Sequence, residues 1–291
     1  MGKHGTYIIA EIGSNSGGSL DAALALIDAA ADAGADAAKF QAGHADHVYD
    51  PTQFPDEHAS FRKYVEPTLG WLPKLAQCCS ERGIDFGCSA FCFDALDAVD
   101  PYVKWHKVAS IEATWTDFVC AVNSKGKPMI VSTGLCDYED VMGVAVPATV
   151  PYVLMQCTTD YPAKIADAGL RAMASMSKVA HGVGLSDHTT HPTIAPCAAV
   201  ALGACVIEKH IRGYDHVPRS RALIEVTYQP GPVQNMATPD VAHSLAPEQF
   251  REMVHAIRLT EKALGSSEKR IRDSERPFLK YRRGKRGLRG A

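Results

Sequence analysis

Short apolar runs alternate along the chain with segments whose apolar side chains recur at helical spacing. The runs fall at 7–13, 37–42, 85–90, 105–110, 128–134, 152–158, 182–187 and 205–211, giving eight candidate strands. The first helical segment opens at Ser19, a capping residue, and ends near Gly34. Others cover about 70–82, 93–99, 116–124, 167–179, 191–202 and 247–264. Strands that alternate with helices pair in parallel through right-handed crossovers, and eight such units predict a closed (β/α)8 TIM barrel, an α/β fold, rather than an open sheet. The barrel is expected over 1–268, followed by a basic tail at 269–291.

Two connections are longer than a barrel requires: 43–70 after the second strand and 212–247 after the eighth. Both belong to the rim formed by the strands' C-terminal ends, so they are candidate lids or substrate-selecting walls.

Composition narrows the function classes. The chain has 291 residues and a formal charge of -3, which gives no reason to expect nucleic acid as a partner. The basic tail reads as a solvated segment. There is neither a long apolar run nor a signal-peptide pattern at Met1-Gly2-Lys3-His4, so no membrane span is expected and the cytoplasm is the expected compartment. Nine cysteines, with no CxxC pair, suit reduced thiols better than disulfides or structural zinc.

In a barrel, polar residues at the strands' C-terminal ends share one cavity. Here they are Glu11, Ser14, Asn15, Lys39, Gln41, Ser89, Lys107, Ser110, Glu112, Ser132, Thr133, Gln156, Cys157, Thr158, Thr159, Asp160, Tyr161, Ser186, Asp187, His188, Thr189, Glu208, Lys209 and His210. Two lysines, Lys39 and Lys107, among several hydroxyls are what a phosphorylated anion needs. The competing reading pairs the lysines with Glu11, Glu112 or Glu208 as buried ion pairs. His188 and His210, on adjacent strands, could share one divalent metal, and Glu11 could act as general base or carboxylate partner.

Several ordered strings carry a more specific resemblance. They are Ile9-Ala10-Glu11-Ile12-Gly13 with Asn15 and Gly17, Lys39-Phe40-Gln41, Lys107-Val108-Ala109-Ser110, Ser132-Thr133-Gly134, Gly184-Leu185-Ser186-Asp187-His188-Thr189 and Ile207-Glu208-Lys209-His210. Over about residues 6–283 the chain resembles the N-acetylneuraminate (sialic acid) synthase family, which condenses phosphoenolpyruvate with an N-acetylated amino sugar. The resemblance implies that Lys39, Ser89, Lys107, Ser110, Ser132 and Ser186 hold phosphoenolpyruvate. It implies a manganese or magnesium ion on His188 and His210, and Glu11 handling the proton of the water that adds at C2. Metal polarisation of an open-chain aldehyde and attack by phosphoenolpyruvate C3 complete the implied mechanism. Gln41, Tyr161 and Asp240 would contact the acceptor, Asp240 through Thr238-Pro239-Asp240-Val241-Ala242-His243, a variant of the family's Gly-Pro-Asp-His loop.

Departures accompany these matches. Ser16 stands where the family has His, and Thr159 where an Asn commonly meets phosphoenolpyruvate. The stretch between His210 and Asp240 is longer than the family's and carries Arg212, Asp215, His216, Arg219 and Arg221. The sequence ends where the family continues into a C-terminal antifreeze-like domain that lends an arginine to the partner subunit's site, so that domain is expected to be absent. The inserted segment, through Arg212, Arg219 or Arg221, is therefore expected to close the site. The acceptor is an aldehyde of the sugar class that the sequence does not name, and a homodimer is the expected assembly. Two other classes compete: a metal-dependent barrel isomerase, epimerase or aldolase that uses no phosphoenolpyruvate, and a non-catalytic binding protein.

Overall fold

Every residue of the first strand, β1 (Tyr7–Glu11), is buried, because the strand has no solvent face. Its side chains alternate between two cores. Tyr7 and Ile9 point inward to join Ala37, Trp105, Ile130, Val153, Met155 and Val206, while Ile8 and Ala10 join the larger layer between sheet and helices. Continuing the inward row places Glu11 above an apolar plug.

The computed structural model describes residues 5–145, 148–213 and 238–283. With β1, the strands β2 (Ala37–Ala42), β3 (Asp85–Ala90), β4 (His106–Val108), β5 (Met129–Ser132), β6 (Tyr152–Cys157), β7 (Gly182–Asp187) and β8 (Ala204–His210) form a closed parallel barrel in sequential order. The expected (β/α)8 fold is therefore the fold observed. The register sets Glu11 beside both Lys39 and His210, Ser89 beside Lys107, and Ser186 beside Glu208. Below this polar layer Trp105 fills the interior. Gly87 makes room for it, since a Cβ there would lie 2.5 Å from the Trp105 ring.

The main outer helices are α1 (Leu20–Ala33), α4 (Leu72–Glu81), α5 (Phe93–Val99), α6 (Thr116–Ser124), α9 (Ile194–Ala201) and α10 (Pro247–Leu264). Ser19 caps α1, its side chain accepting from the Ala22 N–H, and Gly34 ends the helix in the left-handed region at φ 93°.

Four local features depart from the sequence expectations. The 43–70 connection is itself structured, with α2 (Ala45–Val48), α3 (Pro55–Tyr64) and a 3-10 turn at Glu66–Gly70. α7 (Tyr138–Ala145) occupies a connection for which the sequence analysis gave no helix; Asp137 Oδ1 accepts from the Glu139 and Asp140 N–H groups at its start. The helix expected over 167–179 is instead a series of 3-10 turns with the single turn α8 (Met173–Met176), broken by Gly169 at φ 59°. The fourth strand stops at Val108, because Ser110–Glu112 turns away as a 3-10 segment.

No helix among the described residues is long and apolar enough to cross a membrane. All nine cysteines are free thiols. Arg219 and Arg221, with most of the inserted segment, lie outside the described residues.

Candidate active site

The polar layer above Trp105 is a network of buried charge. Lys39 Nζ lies 2.7 Å from Glu11 Oε2, donates to Ser89 Oγ at 2.9 Å, and is 3.7 Å from Glu208 Oε1. Burial pushes the Glu11 carboxyl up to about 7, although Lys39 pulls it down. Burial alone would depress the Lys39 ammonium, but Glu11 and Glu208 reverse that and hold it above its ordinary value. Gln41, one inward position further along β2, donates from Nε2 to Glu11 Oε1 at 2.9 Å.

Lys107 is placed differently. Its Nζ donates to Ser132 Oγ at 2.7 Å and to the Val108 carbonyl at 3.1 Å, while its nearest carboxylate, Glu208, is 3.9 Å away. Burial holds this ammonium below its ordinary value, with Glu208 opposing. The ion-pair reading thus describes Lys39 with Glu11 closely, whereas Lys107 has only the longer pair with Glu208 among the described residues. Beside it, Ser110 Oγ accepts from the Gly134 N–H at 3.0 Å, and Ser186 Oγ donates to Glu208 Oε1 at 3.2 Å. Gly134 is required by proximity, because a Cβ there would lie 2.2 Å from Thr159 Oγ1 and 2.8 Å from Ser110 Oγ. The Thr159 hydroxyl is buried and has no hydrogen-bond partner among the described residues, so it faces the same corner.

At the rim, imidazoles crowd together. His188 and His210 have ring centroids 5.5 Å apart, and His243 lies 4.4 Å from His210 and 5.5 Å from His188. His188 Nδ1 donates to the Thr158 carbonyl at 2.8 Å, which leaves Nε2 for a ligand. Asp240 Oδ2 is 3.8 Å from His210 Nδ1, and Asp240 Oδ1 is 3.9 Å from His243 Nε2. One donor atom from each of His210, Asp240 and His243 lies within 4.8 Å of the others. His210 Nδ1 and both His243 nitrogens are buried without a hydrogen-bond partner among the described residues, as neutral imidazoles awaiting a cation would be. Burial together with His243 and His188 keeps His210 well below its ordinary pKa, and burial lowers His243 to about 3. Both are therefore unprotonated at neutral pH, the form that binds metal.

The sequence-derived residues gather at the C-terminal end of the barrel. Glu11, Lys39, Ser89, Lys107, Ser110, Ser132 and Ser186 are buried there, and Gln41 is bonded to Glu11. The Tyr161 ring packs at a tilt against His188 and His243, with centroids 4.4 and 4.9 Å away. Asp240 accepts from the Ser14 N–H at 2.7 Å, and so faces both the histidines and the acceptor side. Sequence reading passed over His243 as a metal donor, although it stands three residues after Asp240. It also gave no role to Cys157, whose Sγ is 4.0 Å from His188 Nδ1. Ser16, at the departure from the family pattern, is buried.

Comparison with known proteins agrees with this geometry. A family model described as the NeuB family matches residues 26–219. N,N'-diacetyllegionaminic acid synthase of Legionella pneumophila is 33% identical, the match covering 94% of this chain and 77% of that protein. Human N-acetylneuraminate-9-phosphate synthase is 29% identical over 93% of this chain and 74% of its own length. The crystal structure of N-acetylneuraminic acid synthetase from Leptospira borgpetersenii, in complex with citrate, superimposes with a TM-score of 0.81 at 28% identity, covering 96% of this chain and 92% of that one.

Proposed function

The chain belongs to the NeuB family, and on that premise we propose that it condenses phosphoenolpyruvate with a sugar aldehyde, giving a 2-keto acid and releasing phosphate. The observation that carries this reading is Lys107: a buried ammonium that, among the described residues, donates to the Ser132 hydroxyl and the Val108 carbonyl and has its nearest carboxylate, Glu208, 3.9 Å away. A buried cation so placed favours an anionic ligand. A barrel isomerase or aldolase that uses no phosphoenolpyruvate has no need of this cradle, and a binding protein has no need of a carboxyl tuned near neutrality.

In the proposed reaction Lys39 and Lys107 neutralise the carboxylate and phosphate of phosphoenolpyruvate, while Ser89, Ser110, Ser132 and Ser186 satisfy the remaining oxygens. The pocket aims C3 at the aldehyde carbon, and a carbon–carbon bond forms as the aldehyde oxygen takes a proton from solvent water. Water adds at C2, and the C2–O bond to phosphate then breaks. Glu11 takes the proton from that water, for which a carboxyl balanced near 7 beside Lys39 is suited. Gln41 holds Glu11 in place and, with Tyr161 and Asp240, contacts the acceptor.

A divalent metal fits the orphaned imidazole nitrogens of His210 and His243, with Asp240 and His188 completing the donor set. We favour manganese, since imidazole donors suit it better than magnesium, which prefers oxygen. When bound, the ion supplies Lewis-acid polarisation of a carbonyl oxygen.

Calorimetric titration with phosphoenolpyruvate tests the reading directly. Wild type should bind, and Lys107→Met, with its fold verified by circular dichroism, should weaken binding about thirtyfold or more. A wild-type protein that binds no phosphoenolpyruvate would contradict the assignment.

A further inference from the structure

A groove of about 410 Å³ lies at the rim beside Gln41. Its inner end is Ser14, Gln41 and Asp240, and Gln41 is bonded to Glu11, so the groove adjoins the site where the aldehyde carbon would lie. Its outer wall is α3, the helix inside the 43–70 connection, which presents Asp56, Glu57 and Ser60 to the space. Tyr49, Phe61 and Tyr64 supply an aromatic side, with Tyr49 and Phe61 packed edge-on at 5.9 Å.

The charge of this groove has one sign. Asp56, Glu57 and Asp240 line it, and no lysine or arginine does so among the described residues. Of the two cations on the C-terminal turn of α3, Arg62 is held by Asp46 at 2.6 Å and Glu66 at 3.6 Å, and Lys63 lies over the Tyr64 ring at 4.7 Å. Aromatic faces pack against sugar C–H surfaces, and carboxylates accept hydrogen bonds from hydroxyl or ammonium groups. A phosphate dianion in the same space would meet like charges, with no lysine or arginine lining it among the described residues.

We propose that the groove holds the end of the acceptor remote from its aldehyde, and that Asp56 and Glu57 select an acceptor bearing hydroxyl or ammonium groups there and no phosphate. This assignment rests on the condensation reading above and names the substrate class for that same site. The outer specificity wall is then the first turn of α3, which no strand-end motif contains.

The test compares N-acetylmannosamine with its 6-phosphate, a pair differing only in the remote charge, in a phosphate-release assay with phosphoenolpyruvate and manganese. Wild type should prefer the neutral sugar in kcat/KM by at least about tenfold. Asp56→Asn/Glu57→Gln should narrow the ratio, and Asp56→Lys/Glu57→Lys should narrow it further or reverse it. Equal or better use of the 6-phosphate by wild type, or a ratio unmoved in both variants, would overturn the proposal. Release with neither sugar, from protein that binds phosphoenolpyruvate in the calorimeter, also overturns it and leaves the phosphoenolpyruvate site standing. Failure to bind phosphoenolpyruvate overturns the condensation reading itself.

Discussion

Lys209 donates from Nζ to Asp187 Oδ2 at 2.7 Å, tying β7 to β8 at the residues immediately before His188 and His210. Both partners are buried. Lys209 also donates to the Thr189 carbonyl, while Asp187 accepts from the Thr189 N–H at 2.9 Å. One ion pair thus fixes the turn that carries His188 and the end of the strand that carries His210. Asp187→Asn leaves a buried ammonium uncompensated and should cost about 3 kcal/mol in denaturant unfolding. Manganese affinity should also fall, by about tenfold, as the turn and strand end that position His188 and His210 loosen. The double variant Asp187→Leu/Lys209→Met should lose less stability than the single one; a larger loss would show that the pair contributes more than mutual compensation.

His243 separates a two-histidine site from a wider one. If it is a ligand, as its orphaned nitrogens indicate, His243→Ala should weaken manganese binding by more than about tenfold, comparably to His210→Ala. Metal titration of the purified variants decides it: unaltered affinity in His243→Ala would restrict the site to the other donors.

The Glu11 carboxyl should matter to turnover far more than to binding. Glu11→Gln should keep phosphoenolpyruvate affinity within a few fold, because Lys107 and the serines remain, while kcat drops by about 10²- to 10⁴-fold. Unimpaired turnover would remove Glu11 from the chemistry.

Glu112 gives a stability test independent of catalysis. Burial pushes its carboxyl up to about 8 in the folded protein, against an ordinary value of 4.5, with a lesser opposing pull from Lys107. The folded state therefore holds this proton more tightly than the unfolded chain does. Its contribution is fully present below about 4.5 and is lost as pH rises through about 8, where the carboxylate must ionise without a hydrogen-bond partner for Oε2 among the described residues. Glu112→Gln should therefore melt at a higher temperature than wild type above about pH 8, with the difference fading below about pH 4.5. A difference that does not change with pH would contradict this.

Much of the site was legible because a parallel strand buried on both faces leaves few places for polar residues. Glu11, Lys39, Lys107 and Glu208 sit inside apolar runs, and strand alternation alone aims them into the barrel. The lysines' separate fates were not legible, because a 2.7 Å ion pair for Lys39 and a 3.9 Å one for Lys107 depend on register and rotamer. His243 lies in a 3-10 turn, Val241–His243, where no periodicity reports direction. α3 carried the end signals of a helix, with Pro55, Asp56 and Glu57 at its start and Arg62 and Lys63 at its finish. It escaped notice because only His58 and Phe61 are buried, too few to make an apolar stripe. The 167–179 segment misled in the other direction: its apolar spacing is helical, but Gly169 adopts a backbone that a helix does not admit.

The central claim is a phosphoenolpyruvate condensation, and acceptor-dependent phosphate release tests it most directly. Purified protein is incubated with phosphoenolpyruvate and manganese, and free phosphate is measured across a panel of sugar aldehydes. The account predicts release only when a suitable aldehyde is present, with a 2-keto acid formed in equal amount and both lost in Glu11→Gln. Phosphate release that is independent of any aldehyde, or that leaves no 2-keto acid larger than pyruvate, would contradict it.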